Sequence, residues 1–227
     1  MTSNQTGSSA PDALLRRLSL LDCCALSDAL DKLKLAGAVS GLPQLSGSGR
    51  IAGRAVTLRA GVGSPPPGPP RHLGAAAIET AKPGDIIVVE QKSGVEAGSW
   101  GGLLTLGAQL RGVAGVIADG PVRDIDEARS LGFPIFARGC TARTARGRIV
   151  ELSSSAPVEI GDVEVHPGDY VVADSSAIVF IRPEHLEQVL EAAEAIAARE
   201  AAMAAALRAG KPIGEVMGAN YEHMLKS

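Results

Sequence analysis

Aromatic residues are scarce in this 227-residue chain: one Trp, two Tyr and three Phe make up 3% of it. Proteins that hold single-stranded nucleic acid stack its bases on aromatic rings, so the composition argues against that role. A basic surface is lacking too. Lys and Arg number 22 against 25 Asp and Glu, a net charge of −3, which gives a phosphate backbone little to seek. There are three cysteines, Cys23, Cys24 and Cys140. An odd count without framework spacing points to reduced thiols, not a disulfide scaffold. No apolar run approaches the roughly 20 residues that span a bilayer. The first residues, MTSNQTGSSAPD, carry neither the basic nor the apolar segment of a secretory signal. The expectation is a cytoplasmic protein with neither membrane nor nucleic acid among its partners.

What is present reads as one α/β domain with a single core. Residues 1–10 are polar and expected to be disordered, the domain is expected over 11–209, and 210–227 form a tail with a short helix. A helix is expected from Pro11-Asp12, and a second with Ser27-Asp28 as its cap and Ala29, Leu30 and Leu33 buried. Residues 45–53 read as loop. Strands are expected at Arg54–Arg59, Ile86–Glu90, Gly115–Ala118 and Pro134–Ala137, with helices at 74–81, through Leu103, Leu104, Leu106 and Leu110 after the 94–102 glycine loop, and at 125–131. A β-rich run follows to Ile181, with a hairpin turn at Ile160–Val163, and a long Ala-rich helix reaches Arg208. Pro83-Gly84-Asp85 and Pro167-Gly168-Asp169 each precede an apolar strand and read as one turn solution used twice. Five prolines between positions 65 and 70 make a stiff surface loop, either a flap over a site or an insertion without a role. His72 follows it and reads as a cap or surface residue. Arg138, Arg143, Arg146 and Arg148 form either an anion-binding rim or a solvated face.

The chain is organised around residues 98–139: glycine loop, helix, buried strand, charged turn, helix, strand. A glycine loop opening a helix presents free N–H groups at the positive end of a dipole, so the Gly94–Gly102 loop is a candidate anion site, for a carboxylate as well as for a phosphate. The turn after the strand holds Asp119-Gly120-Pro121-Val122-Arg123-Asp124, and ligands of open α/β sheets bind beyond the carboxyl ends of strands. Arg123 offers a planar fork that suits a carboxylate. Asp124 suits a hard divalent cation with water completing the shell. Glu127 falls on the same helical face if the helix starts at Asp124, Asp126 points elsewhere, and Asp119 is expected to fix the turn through its backbone. On spacing alone a capped helix with a surface ion pair accounts for the same residues.

Gly102, twenty intervening residues, Arg123-Asp124, two residues and Glu127 together resemble the signature of RraA-like proteins. Gly115–Asp124, Leu131–Ala137, Ser27–Leu30, Gly53–Thr57 and Pro83–Asp85 are similar to the family pattern as well. That family includes the regulator of ribonuclease activity A and the class II 4-hydroxy-4-methyl-2-oxoglutarate aldolases. The resemblance implies an α-β-β-α sandwich related to the swivelling phosphohistidine-type domain, and assembly as a homotrimer or hexamer. It implies a lyase dependent on Mg²⁺ or Mn²⁺ that cleaves a small 2-oxo acid or decarboxylates oxaloacetate. Arg123 and Asp124 would be catalytic, Asp124 holding the metal and Glu127 supporting it through water. Gly101, Gly102, Leu103, Leu104 and Arg123 would bind the pyruvyl part. The family's alternative is a non-catalytic regulator that binds an endoribonuclease. In one respect the chain departs from the typical aldolases, which carry an acidic residue where Gly102 stands.

Overall fold

The computed structural model describes residues 10–69 and 71–218, so the expected disorder of the first residues and the end of the tail lie outside it. The architecture is built on one long strand, β3 (Ile51–Gly61), whose inner positions are apolar and buried. Its first half pairs antiparallel with β10 (Tyr170–Ala173), and its second half pairs parallel with β4 (Ile86–Glu90). Beyond β4 lie β5 (Gly115–Val122) and β6 (Ile135–Cys140), both parallel, with the short β2 (Gln44–Ser46) antiparallel at the edge. On the other side β11 (Ile178–Ile181) and β1 (Ala38–Val39) continue from β10. β7 (Val150–Ser154) runs antiparallel along the last residues of β3.

Three apolar clusters order the layers. Helices α1 (Ala10–Ser19), α2 (Cys23–Leu33) and α6 (Leu186–Arg208) pack on Tyr170, Val172, Val179 and Ile181. The opposite faces of β10 and β11, through Val171, Ala173, Ile178 and Phe180, meet Ile86, Val88, Ile117 and Phe136 of the parallel half. The far face of that half, with Ile87, Val89, Val116 and Ala118, is covered by α3 (Ala75–Thr80), α4 (Gly102–Leu110) and α5 (Ile125–Ser130). The order is helices, strands, strands, helices, in one mixed α/β domain. β4 and the core of β5 are apolar on both faces because both are covered, as parallel strands require. Each such Val or Ile contributes about 1.5–3 kcal/mol by leaving water. No helix among the described residues is long and apolar enough to cross a membrane. All three cysteines are free.

Several boundaries differ from the sequence reading. α2 begins at Cys23, not near Ser27: Asp22 is the cap and accepts from the Ala25 N–H at 2.8 Å. Burying Cys23, Ala25 and Leu26 draws the extra turn into the helix. Leu33, expected in the core, is only half-buried. The 45–53 loop contains the end of β2 and the start of β3. β5 runs four residues past Ala118, because Pro121 and Val122 pair with Gly139 and Cys140 of a longer β6. The two Pro-Gly-Asp turns do share one solution. Asp85 accepts from the Lys82 N–H and Asp169 from the His166 N–H, each at 2.8 Å, and Gly84 and Gly168 sit at φ 88° and 87°.

The hairpin of β8 (Val158–Ile160) and β9 (Val163–Val165) hangs on the carboxyl ends of β4 and β5. Glu90 accepts from the Glu159 N–H at 2.6 Å. Asp119, 5% exposed, accepts from the Gly161 N–H at 2.7 Å and from Arg138 Nε at 2.6 Å. Asp119 was expected to shape its own turn; instead it joins distant segments. Removing a buried acceptor leaves its donors unpaired, and the half-exposed Arg138 recovers part of the loss from water. Asp119→Ala is therefore expected to lower stability by about 2–3 kcal/mol in urea unfolding. A loss below about 0.5 kcal/mol would contradict this role for the carboxylate.

Candidate functional site

The charged turn and the glycine loop meet where β5 ends. Backbone bonds hold them together: the Ser99 N–H donates to the Pro121 carbonyl at 3.0 Å, and the Arg123 N–H to the Trp100 carbonyl at 2.9 Å. Trp100 is buried, and its indole N–H donates to Thr105 Oγ1 at 3.0 Å, while that hydroxyl donates to the Gly101 carbonyl at 3.0 Å. The loop is thereby fixed from within the first turn of α4.

Asp124 caps α5 with left-handed backbone angles, φ 58° and ψ 38°. The helix starts at Ile125, where the sequence reading placed it, so Asp124 precedes it as the cap. The Asp124 side chain turns away from its own helix and accepts from the Gly102 N–H, at the start of α4, at 3.0 Å. Arg123 Nε lies 3.2 Å from both Asp124 oxygens. The remaining guanidinium nitrogens of Arg123 have no partner among the described residues. This revises one expectation: the Gly102 N–H is already given to Asp124. Of the anion-site N–H groups, those of Leu103 and Leu104 stay outside the intrahelical ladder, whose first bond is Thr105 to Gly101.

Glu127 joins the same place from α5. A Cβ built on Gly102 would overlap Glu127 Oε2, would lie 2.7 Å from its Cδ, and would approach Asp124 Cβ to 3.3 Å. Gly98 and Gly101 are similarly filled, by Arg123 Cγ at 2.9 Å and Asp124 Oδ2 at 2.9 Å. The glycines are the surface on which the three charged side chains lie. Among the described residues no three His, Cys, Asp or Glu side chains gather as a metal cage. Asp124 and Glu127 form a two-carboxylate set, and Asp124 retains lone pairs after its bonds to Gly102 and Arg123. That donor set fits a hydrated hard cation such as Mg²⁺, which uses one or two carboxylates and keeps its waters.

Arg123, Asp124 and Gly98–Leu104 line a cleft of about 830 Å³. Pro65–Pro67 and Pro69 form part of its wall, so the proline loop borders the site. Of the four clustered arginines only Arg146 lines the cleft. Arg138 serves Asp119, Arg143 pairs with Glu96 at 3.3 Å, and Arg148 donates to the Thr144 carbonyl. His72, exposed as expected, lines the cleft with its Nδ1 2.8 Å from the Leu73 carbonyl. Asp126 points outward and pairs with Arg129. The sequence reading missed Glu151, Ser153 and Ser154, which reach the cleft from β7. No local motif marks them; the pairing of β7 with β3 brings them there.

Comparison with known proteins adds the family. Over 174 residues the chain is 32% identical to a Halalkalibacterium halodurans protein named "Putative 4-hydroxy-4-methyl-2-oxoglutarate aldolase", covering 74% of this chain and 76% of that one. It is 27% identical over 200 residues to Protein DlpA of Legionella pneumophila, covering 88% of this chain but only 32% of DlpA's own length. Among solved structures, Streptomyces coelicolor RraAS2, described as an unusual member of the RNase ES inhibitor RraA protein family, superposes with a TM-score of 0.73 at 28% identity. That match covers 86% of this chain and 97% of RraAS2. The sequence model of the RraA-like family, described as Aldolase/RraA, matches residues 23–180, a span that holds the whole turn, the glycine loop and both sheet halves. The chain belongs to the RraA-like family.

Proposed function

We propose that this chain is a divalent-metal-dependent carbon–carbon lyase acting on a small 2-oxo acid. The reaction is retro-aldol cleavage of a 4-hydroxy-2-oxo acid to pyruvate, decarboxylation of oxaloacetate, or both. The observation that carries it is the convergence of Asp124 and Glu127 on Gly102, with Arg123 paired to Asp124 and both of them lining the cleft. The aldolase name borne by the H. halodurans relative supports the reading.

Both reactions break a bond to the carbon next to the 2-oxo group, and electron density moves onto the 2-oxo oxygen. The catalyst must bind the carboxylate, orient the bond and stabilise that developing charge. In this site the terminal Arg123 nitrogens pair with the substrate's carboxylate and 2-oxo side as charge-assisted donors. The Leu103 and Leu104 N–H groups take a carboxylate oxygen at the helix start. Asp124 and Glu127 would hold Mg²⁺ or Mn²⁺, with Glu127 acting through water. When bound, the ion supplies Lewis acidity toward a carbonyl oxygen. Asp124 also holds Arg123 and the first turn of α4 in one arrangement, so the donors are set before substrate arrives. Assembly as a homotrimer or hexamer is part of this proposal. Leu103, Leu106 and Leu110 form an exposed apolar stripe on α4, 87%, 40% and 81% exposed, and a second copy would cover it.

The direct test incubates the purified protein with Mg²⁺ and oxaloacetate and follows pyruvate. Wild type should release pyruvate in a chelator-sensitive manner, and Asp124→Ala should lose at least about 100-fold in kcat/KM. Equal rates for the two proteins would defeat the lyase assignment. The likeness to RraAS2 favours one second reading, a non-catalytic protein that binds an endoribonuclease. That reading gains if the protein lacks lyase activity and if an RNase E-type partner binds wild type and Asp124→Ala alike.

Gly102 gives a separate prediction. The atoms that a new Cβ would strike belong to the far end of the exposed, flexible Glu127. Gly102→Ala should therefore fold with a urea midpoint at or above wild type, since Ala favours the first helical turn more than Gly. The displaced Glu127 should nevertheless weaken Mg²⁺ by about 10-fold in calorimetric titration, the usual scale for a lost supporting ligand. An unchanged Mg²⁺ affinity would remove Glu127 from the metal site.

A further inference from the structure

The site described so far leaves one participant in the reaction unassigned, the proton. Retro-aldol cleavage takes a proton from the 4-hydroxyl and returns one to carbon 3, so a single group that accepts and then gives back serves both steps. Among the described residues, the titratable side chains lining the cleft are Arg71, His72, Arg123, Asp124, Arg146 and Glu151. Guanidinium groups do not release protons in the working range. Asp124 is engaged by the Gly102 N–H and by Arg123. Glu151 Oε2 accepts from the Gly74 N–H at 2.9 Å. His72 remains, and imidazole is the side chain that both takes and gives a proton near neutrality.

The surroundings of His72 fix which nitrogen acts. Nδ1 lies 2.8 Å from the Leu73 carbonyl oxygen. A carbonyl only accepts, so Nδ1 carries the hydrogen and Nε2 holds the lone pair of the neutral ring. In the charged ring Nδ1 keeps that bond and Nε2 has the proton to give. One ring position therefore serves both halves of a transfer cycle. The backbone is held as well: the Ala75 N–H donates to the His72 carbonyl at 3.0 Å, and Gly74 is bonded to Glu151. A Cβ on Gly74 would stand 3.2 Å from Leu104 and 3.3 Å from Trp100. His72 thus lines the cleft two residues from a glycine packed against the first turn of α4, the turn at which the lyase reading seats the substrate's carboxylate.

We propose that His72 Nε2 is the proton shuttle of this site. The inference rests on the lyase reading and adds to it the group that moves the proton. In cleavage Nε2 takes the 4-hydroxyl proton. The freed oxygen pair becomes the new carbonyl bond as the bond between carbons 3 and 4 breaks, and the electrons of that bond pass into the enolate. Nε2–H then returns the proton to carbon 3, which becomes the methyl group of pyruvate, and the ring ends as it began. In decarboxylation only the second half operates, and the exposed ring recovers its proton from water.

Exchange of the pyruvate methyl protons runs that last transfer in both directions and needs no cleavage substrate. In D₂O with Mg²⁺, followed by NMR, the wild-type protein should exchange them. His72→Gln should lose at least about 100-fold in the rate at saturation, with the KM for pyruvate within about 3-fold of wild type. Added imidazole should restore His72→Ala by at least about 10-fold. Exchange by His72→Gln within about 3-fold of wild type overturns the inference. So does a loss that lies mainly in KM, or one that imidazole leaves unrepaired, since either makes the residue a binding or structural one. Loss in Glu151→Gln in place of His72→Gln overturns it too and moves the role to that carboxylate. Oxaloacetate turnover by the wild type on the same preparation keeps the two readings apart. Turnover without methyl exchange defeats only the shuttle, whereas absence of both defeats the lyase and the shuttle with it.

Discussion

One hydrogen bond organises the site: the Gly102 N–H to the Asp124 carboxylate, 3.0 Å long. It joins two successive β-α units through the starts of their helices. A carboxylate at the amino end of a helix is favourable in itself, because it meets an unsatisfied donor and the positive end of the dipole. To reach α4 the Asp124 backbone adopts left-handed angles, which cost a non-glycine residue on the order of 1 kcal/mol and are least costly for Asp and Asn. Cap and strain are of similar size. The arrangement is therefore nearly neutral for stability, and what it secures is position: Arg123 is held alongside and Glu127 is carried onto the glycine.

The glycines of 98–102 belong to the same constraint. Side chains there would stand where Arg123, Asp124 and Glu127 now lie. The departure at position 102 from the typical aldolases then has a spatial meaning. A side chain on residue 102 and the present placement of Glu127 exclude each other, because Glu127 of α5 fills the space a Cβ on Gly102 would take.

Much of this was readable in the chain. The apolar run of β4, the glycine loop ahead of α4 and the Arg-Asp-x-x-Glu turn each follow from local pattern, and the structure gathers them as that pattern suggests. What stayed hidden depends on tertiary pairing. Nothing around Asp119 says that its partners are Arg138 and Gly161, because both lie on later segments. Asp22 and Ser27 are equally good caps by residue type; burial of Cys23 and Leu26 between α6 and the sheet chose the first. The extension of β5 needed a partner on β6. Gly102 looked like a free anion donor because its true acceptor, Asp124, lies twenty-two residues on in a backbone conformation that sequence pattern does not report.

The double pairing of β3 has a consequence for how the molecule forms during synthesis. From β3 through β6 neighbours in the sheet are also neighbours along the chain, so loop closure is cheap and this half can assemble early. The Asp124–Gly102 junction lies wholly within it. The other edge of β3 waits for Tyr170–Ala173, more than a hundred residues later. α1 and α2 pack on β10, β11 and α6. They leave the ribosome before the strands and helix they pack on, so their docking waits for β10, β11 and α6.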